Sequence, residues 1–89
     1  MSKKSNVILG VVRDTSGNPV AGARLYFTAG PVAFPDIAAL TDAEGAFSLG
    51  APAPGAYTLQ CVADEFAAAT VTVIVKSGQT PRLEIKLGR

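Results

Sequence analysis

The chain has 89 residues, of which 48% are hydrophobic and 17% charged, with a formal net charge of +1. That length accommodates one domain and leaves no room for a second, and the composition is that of a globular chain rather than a disordered one. So small a net charge gathers no phosphates, so nucleic acid is a poor candidate partner, and Lys3 and Lys4 are too few to make a membrane patch.

Residues 1–6 (MSKKSN) read as a flexible polar leader and residues 7–89 as the domain. The apolar run that follows the leader is too short for the hydrophobic region of an export signal. No apolar stretch approaches the roughly 20 residues of a spanning helix. The expectation is a chain that does not insert into a membrane and stays in the cytoplasm unless a larger secreted assembly carries it out. Residues 7–12 (VILGVV) are apolar and rich in β-branched side chains, and DTSGNPV soon follows, which predicts a strand and then a turn. Residues 23–28 (ARLYFT) alternate, placing Ala23, Leu25 and Phe27 on one face and Arg24, Tyr26 and Thr28 on the other.

Thr41, the Glu44-Gly45 turn and the AFSLG run predict two short strands meeting at a hairpin, with Phe47 and Leu49 pointing inward. Pro54-Gly55 then turns the chain into AYTLQCV, where Tyr57, Leu59 and Cys61 share a face. Residues 63–69 have the composition for a helical turn or two. Residues 69–75 (ATVTVIV) have the highest β-propensity in the chain, and residues 76–79 turn it into RLEIKL, whose Leu83, Ile85 and Leu87 face one way. About seven strands at turn spacings of roughly 8 to 12 residues predict an all-β sandwich of two sheets.

The stretch 29–40 (AGPVAFPDIAAL) departs from this rhythm, carrying Val32, Phe34, Ile37 and Leu40 where a surface loop is usually polar. Two readings stand side by side. Phe34 or Ile37 folds back as a lid over the open end of the sandwich, or the loop is an exposed contact surface.

In order, Ile8, Gly10, Val12, Asp14, Gly17, Pro19-Val20, Gly22-Ala23 and Leu25 spell I-x-G-x-V-x-D-x-x-G-x-P-V-x-G-A-x-L. Then follow TDAEGAFSL at 41–49, PGAYTL at 54–59 and a closing V-x-V-x-x-G-x-x-x-x-L-x-I-x-L. This series resembles the carboxypeptidase regulatory-like domain, over nearly the whole chain. The resemblance implies a transthyretin-like, seven-stranded Greek-key β-sandwich serving as an accessory module of very different host proteins. Among those hosts are peptidases, outer-membrane receptors, surface adhesins and secretion-system spikes. One departure is Glu65-Phe66, where the family commonly has glycine before the aromatic, so that loop is expected to differ in shape.

Chemistry finds little footing. Cys61 is the single cysteine and there is no histidine, so an internal disulfide, a four-ligand zinc site and a Ser-His or Cys-His nucleophile pair all lack their parts. The hydroxyisourate hydrolases of the transthyretin-like fold carry histidines and a Tyr-Arg-Gly-Ser type ending, whereas this chain ends Lys86-Leu87-Gly88-Arg89. Asp42 with Glu44, and Asp64 with Glu65, are the carboxylate pairs available, and turn chemistry accounts for them more simply than acid-base catalysis. Asp14 and Asp42 lack the acidic ladder of a calcium loop. The Lys-to-Asn isopeptide bond of collagen-adhesin B type domains has no lysine in the first strand and no Asn or Asp in the last. The expectation is a chain with no catalytic residue, no cofactor and no bound metal.

What remains is surface. If Ile8, Gly10 and Val12 face inward as the resemblance implies, then Val7, Leu9 and Val11 face outward, and Ile74 does the same on its strand. The candidate partner-binding residues are therefore Val32, Phe34, Ile37 and Leu40 of the loop with Leu9, Val11 and Ile74. They suggest a non-enzymatic interaction module, either docking on a larger host as a secretion-spike adaptor does or forming a homo-oligomer. A carbohydrate-binding module is the alternative, but with no Trp only Tyr26 offers an outward ring.

Overall fold

Alternation decides which side of each strand stays dry. The computed structural model describes residues 6–31, 38–51 and 53–89. Its strands are β1 (Asn6–Asp14), β2 (Arg24–Ala29), β3 (Ala39–Leu40), β4 (Ala46–Ala51), β5 (Gly55–Val62), β6 (Ala69–Val75) and β7 (Arg82–Leu87). They form a three-stranded sheet in the order β4-β1-β7 and a four-stranded sheet in the order β3-β2-β5-β6. Alternation is plainest in β4, β5, β6 and β7. The architecture is the all-β sandwich that the sequence predicts, and Asn6 already belongs to β1. No helix among the described residues is long and apolar enough to cross a membrane.

The two inner faces interdigitate into one core. From the three-stranded sheet come Ile8, Val12, Phe47, Leu49, Ile85 and Leu87, and from the four-stranded sheet Leu25, Phe27, Tyr57, Leu59, Val73 and Val75, all buried. Cys61 is buried among them, and burial pushes its thiol pKa up, which keeps it protonated and unreactive. The Phe27 and Tyr57 rings lie 4.7 Å apart at a 37° tilt. The Tyr57 hydroxyl donates to the Ala53 carbonyl at 2.5 Å and accepts from the Ala53 N–H at 3.0 Å, which fastens the β4–β5 turn to the core.

Gly10 sits at the middle of β1, in register with Phe47 of β4 and Leu83 of β7. A Cβ there would stand 2.6 Å from the Phe47 ring and 2.8 Å from the Leu83 carbonyl oxygen. Only glycine leaves room for that ring at the centre of the sheet.

The sequence reading of a hairpin between Thr41 and Phe47 is corrected. β3 pairs with β2 in the four-stranded sheet and β4 pairs with β1 in the three-stranded one, so the intervening turn is a corner between sheets. Thr41 accounts for this. Its buried hydroxyl donates to the Val20 carbonyl at 2.6 Å and accepts from the Ala23 N–H at 2.9 Å, holding the chain to the entry of β2 rather than alongside β4. Asp42 then closes the corner, one carboxylate oxygen accepting from the N–H groups of Glu44 and Ala46 at 2.9 Å each. Asp14 does the same after β1 with Ser16 and Asn18, and those backbone bonds, that from Asn18 foremost, lower its pKa. Gly45, at φ +76°, is pressed under the Val12 carbonyl, which leaves no room for a Cβ.

Residues 63–69 form no helix. The Phe66 N–H donates to the Ala63 carbonyl at 3.2 Å, making a tight turn. Glu65 occupies it at φ +72°, the left-handed backbone that glycine adopts. At the position where the resemblance puts a glycine, the glutamate takes a backbone conformation that glycine favours and carries its strain.

Candidate functional site

The outer faces of the two sheets are chemically unlike, and the candidate site lies on the smaller sheet. On β1 the side chains between the buried Ile8 and Val12 turn outward, which puts Leu9 and Val11 on the outer face in half-buried positions. Leu9 is in register with Ser48 and Arg82, and Val11 with Ala46 and Glu84. Between those two rows lies the row Phe47–Gly10–Leu83, whose side chains belong to the inner face. The outer surface there is bare backbone, and the result is a shallow slot of about 350 Å³ with Leu9 and Val11 as its walls. Charge brackets one side, where Glu84 meets Arg13 at 3.6 Å and Arg82 stands beside Leu9.

A second depression, of about 440 Å³, lies across β4 and is lined by Ala39, Leu40, Asp42, Ala46, Phe47 and Ser48. Both depressions share Ala46 and Phe47, so they flank one strand. Among the described residues β4 is an edge of its sheet, hydrogen-bonded to β1 alone. The Val12 N–H donates to the Gly45 carbonyl at 2.8 Å, and antiparallel alternation from that pair turns the backbone groups of Phe47, Leu49 and Ala51 toward β1. The N–H and C=O of Ser48 and Gly50 therefore point to the open edge.

The structure thus gathers three candidate partner-binding residues around β4. Leu9 and Val11 lie on the sheet face, and Leu40, 64% exposed, lies past the edge on β3. Ile74 stands apart, 56% exposed on β6 at the far side of the other sheet. Val32, Phe34 and Ile37 lie outside the described residues. The unpaired groups of Ser48 and Gly50 were missed in the sequence, which does not show which strand becomes an edge.

Tyr26, in register with Gln60, is half-buried on the outer face of the four-stranded sheet. Among the described residues no three His, Cys, Asp or Glu side chains come together as a metal-binding group. The Asp14 and Asp42 carboxylates are engaged by backbone N–H groups of their own turns, as turn residues are.

Solved structures with the same fold come from several kinds of protein. The major pilin subunit of Bacillus cereus matches with a TM-score of 0.75 and 17% identity over 94% of this chain and 29% of its own. Chlorocatechol 1,2-dioxygenase of Pseudomonas putida matches at 0.70 and 14%, over 97% of this chain and 61% of its own. A type II cohesin-X-dockerin complex of Acetivibrio cellulolyticus matches at 0.59 and 17%, over 91% of this chain and 51% of the matched one. This chain thus spans between 29% and 61% of these three chains, and at such identities the likeness shows the fold alone. No curated protein matches. The model of the carboxypeptidase regulatory-like domain matches residues 7–88, which is nearly the whole chain, and the protein belongs to that family.

Proposed function

We propose that this domain is a non-enzymatic protein-protein interaction module that takes an extended segment of its partner along the open edge of β4. The observation that carries the reading is the pair of depressions on either side of that strand, sharing Ala46 and Phe47. A segment laid there pairs its backbone with Ser48 and Gly50. Its alternate side chains reach the Leu9–Val11 slot on one side and Leu40 on the other, the geometry of strand addition. Small residues on the strand itself, Ala46, Ser48 and Gly50, leave the approach open.

Three considerations support this over catalysis. The chain has no histidine, its thiol is buried, and the Asp14 and Asp42 carboxylates already serve turns. The pilin and cohesin-dockerin likenesses are in keeping with an assembly role, although the dioxygenase likeness shows that the fold also occurs in an enzyme. An adaptor on a larger host, a secreted assembly among them, remains our version of the role.

Ser48→Pro is the diagnostic variant, because it removes an N–H that faces the open edge and leaves the β1 ladder intact. In a pull-down from the source lysate read by mass spectrometry, Ser48→Pro and Val11→Asp should each lose the partner held by the wild type. Thr72→Asp on β6 should keep it. Retention by Ser48→Pro would remove strand addition at β4 from consideration.

A further inference from the structure

The two outermost strands in sequence, β1 and β7, are neighbours in the three-stranded sheet and run parallel. Six consecutive pairs join them, from Leu9–Arg82 to Asp14–Leu87. The Leu9 N–H adds a bond to the Pro81 carbonyl at 3.0 Å just ahead of the ladder. Because the strands are parallel, Asn6 at the start of β1 and Leu87 at the end of β7 lie at opposite ends of the ladder. The nine residues of β1 set these ends about 27 Å apart along the strand direction. The molecule is elongated, with extents of 42 × 22 × 18 Å.

This arrangement fixes how a pull across the domain is met. Tension entering at Asn6 draws β1 one way along its axis, and tension leaving at Leu87 draws β7 the other way. The strands must then slide past each other lengthwise, so all the bonds between them bear the load together instead of opening one after another. β1 is also the central strand, so sliding it strains its six antiparallel pairs with β4 as well. It must further drag Ile8 and Val12 out of the core and Gly10 from beneath the Phe47 ring.

We infer that the domain is a load-bearing link, built to stay folded under tension applied through β1 and β7. The resistance is non-covalent, since the single cysteine, Cys61, is a free and buried thiol on β5. This role is independent of docking at β4, because the bonds concerned are those that β1 makes to β7 and β4 rather than the groups of β4's open edge.

Forced unfolding reads the rate of barrier crossing, so the direction of pulling separates a shear-loaded ladder from an ordinary small sandwich. The full chain would be stretched singly between handles in two arrangements. In the first, handles are fixed to the two chain ends. In the second, one handle stays ahead of β1 and the other is attached at Gln79→Cys, an exposed position in the β6–β7 turn, so that the same pairs are peeled apart from one end. Urea unfolding of both forms checks that the substitution leaves stability unchanged. The expected result is an unfolding force several-fold higher in the end-to-end arrangement. Coinciding forces, or the reverse order, would overturn the inference.

Discussion

The two sheets share one core and differ in what they offer to solvent. The four-stranded sheet shows water a surface of Thr28, Thr58, Gln60, Thr70 and Thr72, with its strongly exposed large apolar groups, Leu40 and Ile74, confined to the two edge strands. The three-stranded sheet shows an aliphatic stripe, Leu9 and Val11, over bare backbone, beside an edge with unpaired groups at Ser48 and Gly50. The difference follows from which strand is central. In the smaller sheet β1 lies between two partners and carries apolar side chains on both faces, whereas the outward positions of β2 are Arg24, Tyr26 and Thr28 and the middle of β5 turns Thr58 and Gln60 outward. A strand that is apolar on both sides is the pattern of a strand covered on both sides. Among the described residues only one side is covered by the chain itself, and that asymmetry is why we propose a partner on the smaller sheet.

The contrast can be pressed hardest at Gly10. Gly10→Ala drives a methyl into the Phe47 ring and the Leu83 carbonyl. It should cost about 2–3 kcal/mol in urea unfolding, the scale of overpacking. A loss under about 0.5 kcal/mol would mean that the centre of the smaller sheet is looser than described. On the larger sheet the comparable anchor is a hydroxyl rather than an absence. Tyr57→Phe leaves the Ala53 N–H and C=O without that partner, and a cost of about 1–2 kcal/mol is expected. An unchanged midpoint would show that water replaces the hydroxyl without penalty. The smallest effect has the opposite sign. Glu65→Gly, between β5 and β6, relieves a left-handed glutamate, and thermal unfolding should register a gain of roughly 0.5–1 kcal/mol. A loss would indicate that the glutamate side chain holds the turn.

Much of the fold was legible because period-two alternation and turn residues survive in the bare sequence. ATVTVIV and RLEIKL state their strands and faces outright, and β6 and β7 span those residues. The partnership of β3 was not legible, because two residues, Ala39 and Leu40, carry too little pattern to say which strand they join. The decision rests on the Thr41 hydroxyl reaching Val20 and Ala23, 21 and 18 residues away in sequence. The site was legible only in part, and for a similar reason. That Leu9 and Val11 face outward follows from the buried Ile8 and Val12 on either side. Leu40 being beside them across β4, and Ile74 far off, depends on strand order, which no local run of residues encodes.

Whether a partner strand lies along β4, as proposed, or along β6 is read by site-specific photocrosslinking. A photoactivatable side chain would replace Ser48 in one form of the protein and Thr72 in another, with both irradiated in the source lysate. With a partner strand along β4, position 48 yields a discrete crosslinked product, abolished by Val11→Asp, and position 72 yields none. Crosslinking from position 72 with position 48 silent would contradict it and move the contact surface to the four-stranded sheet.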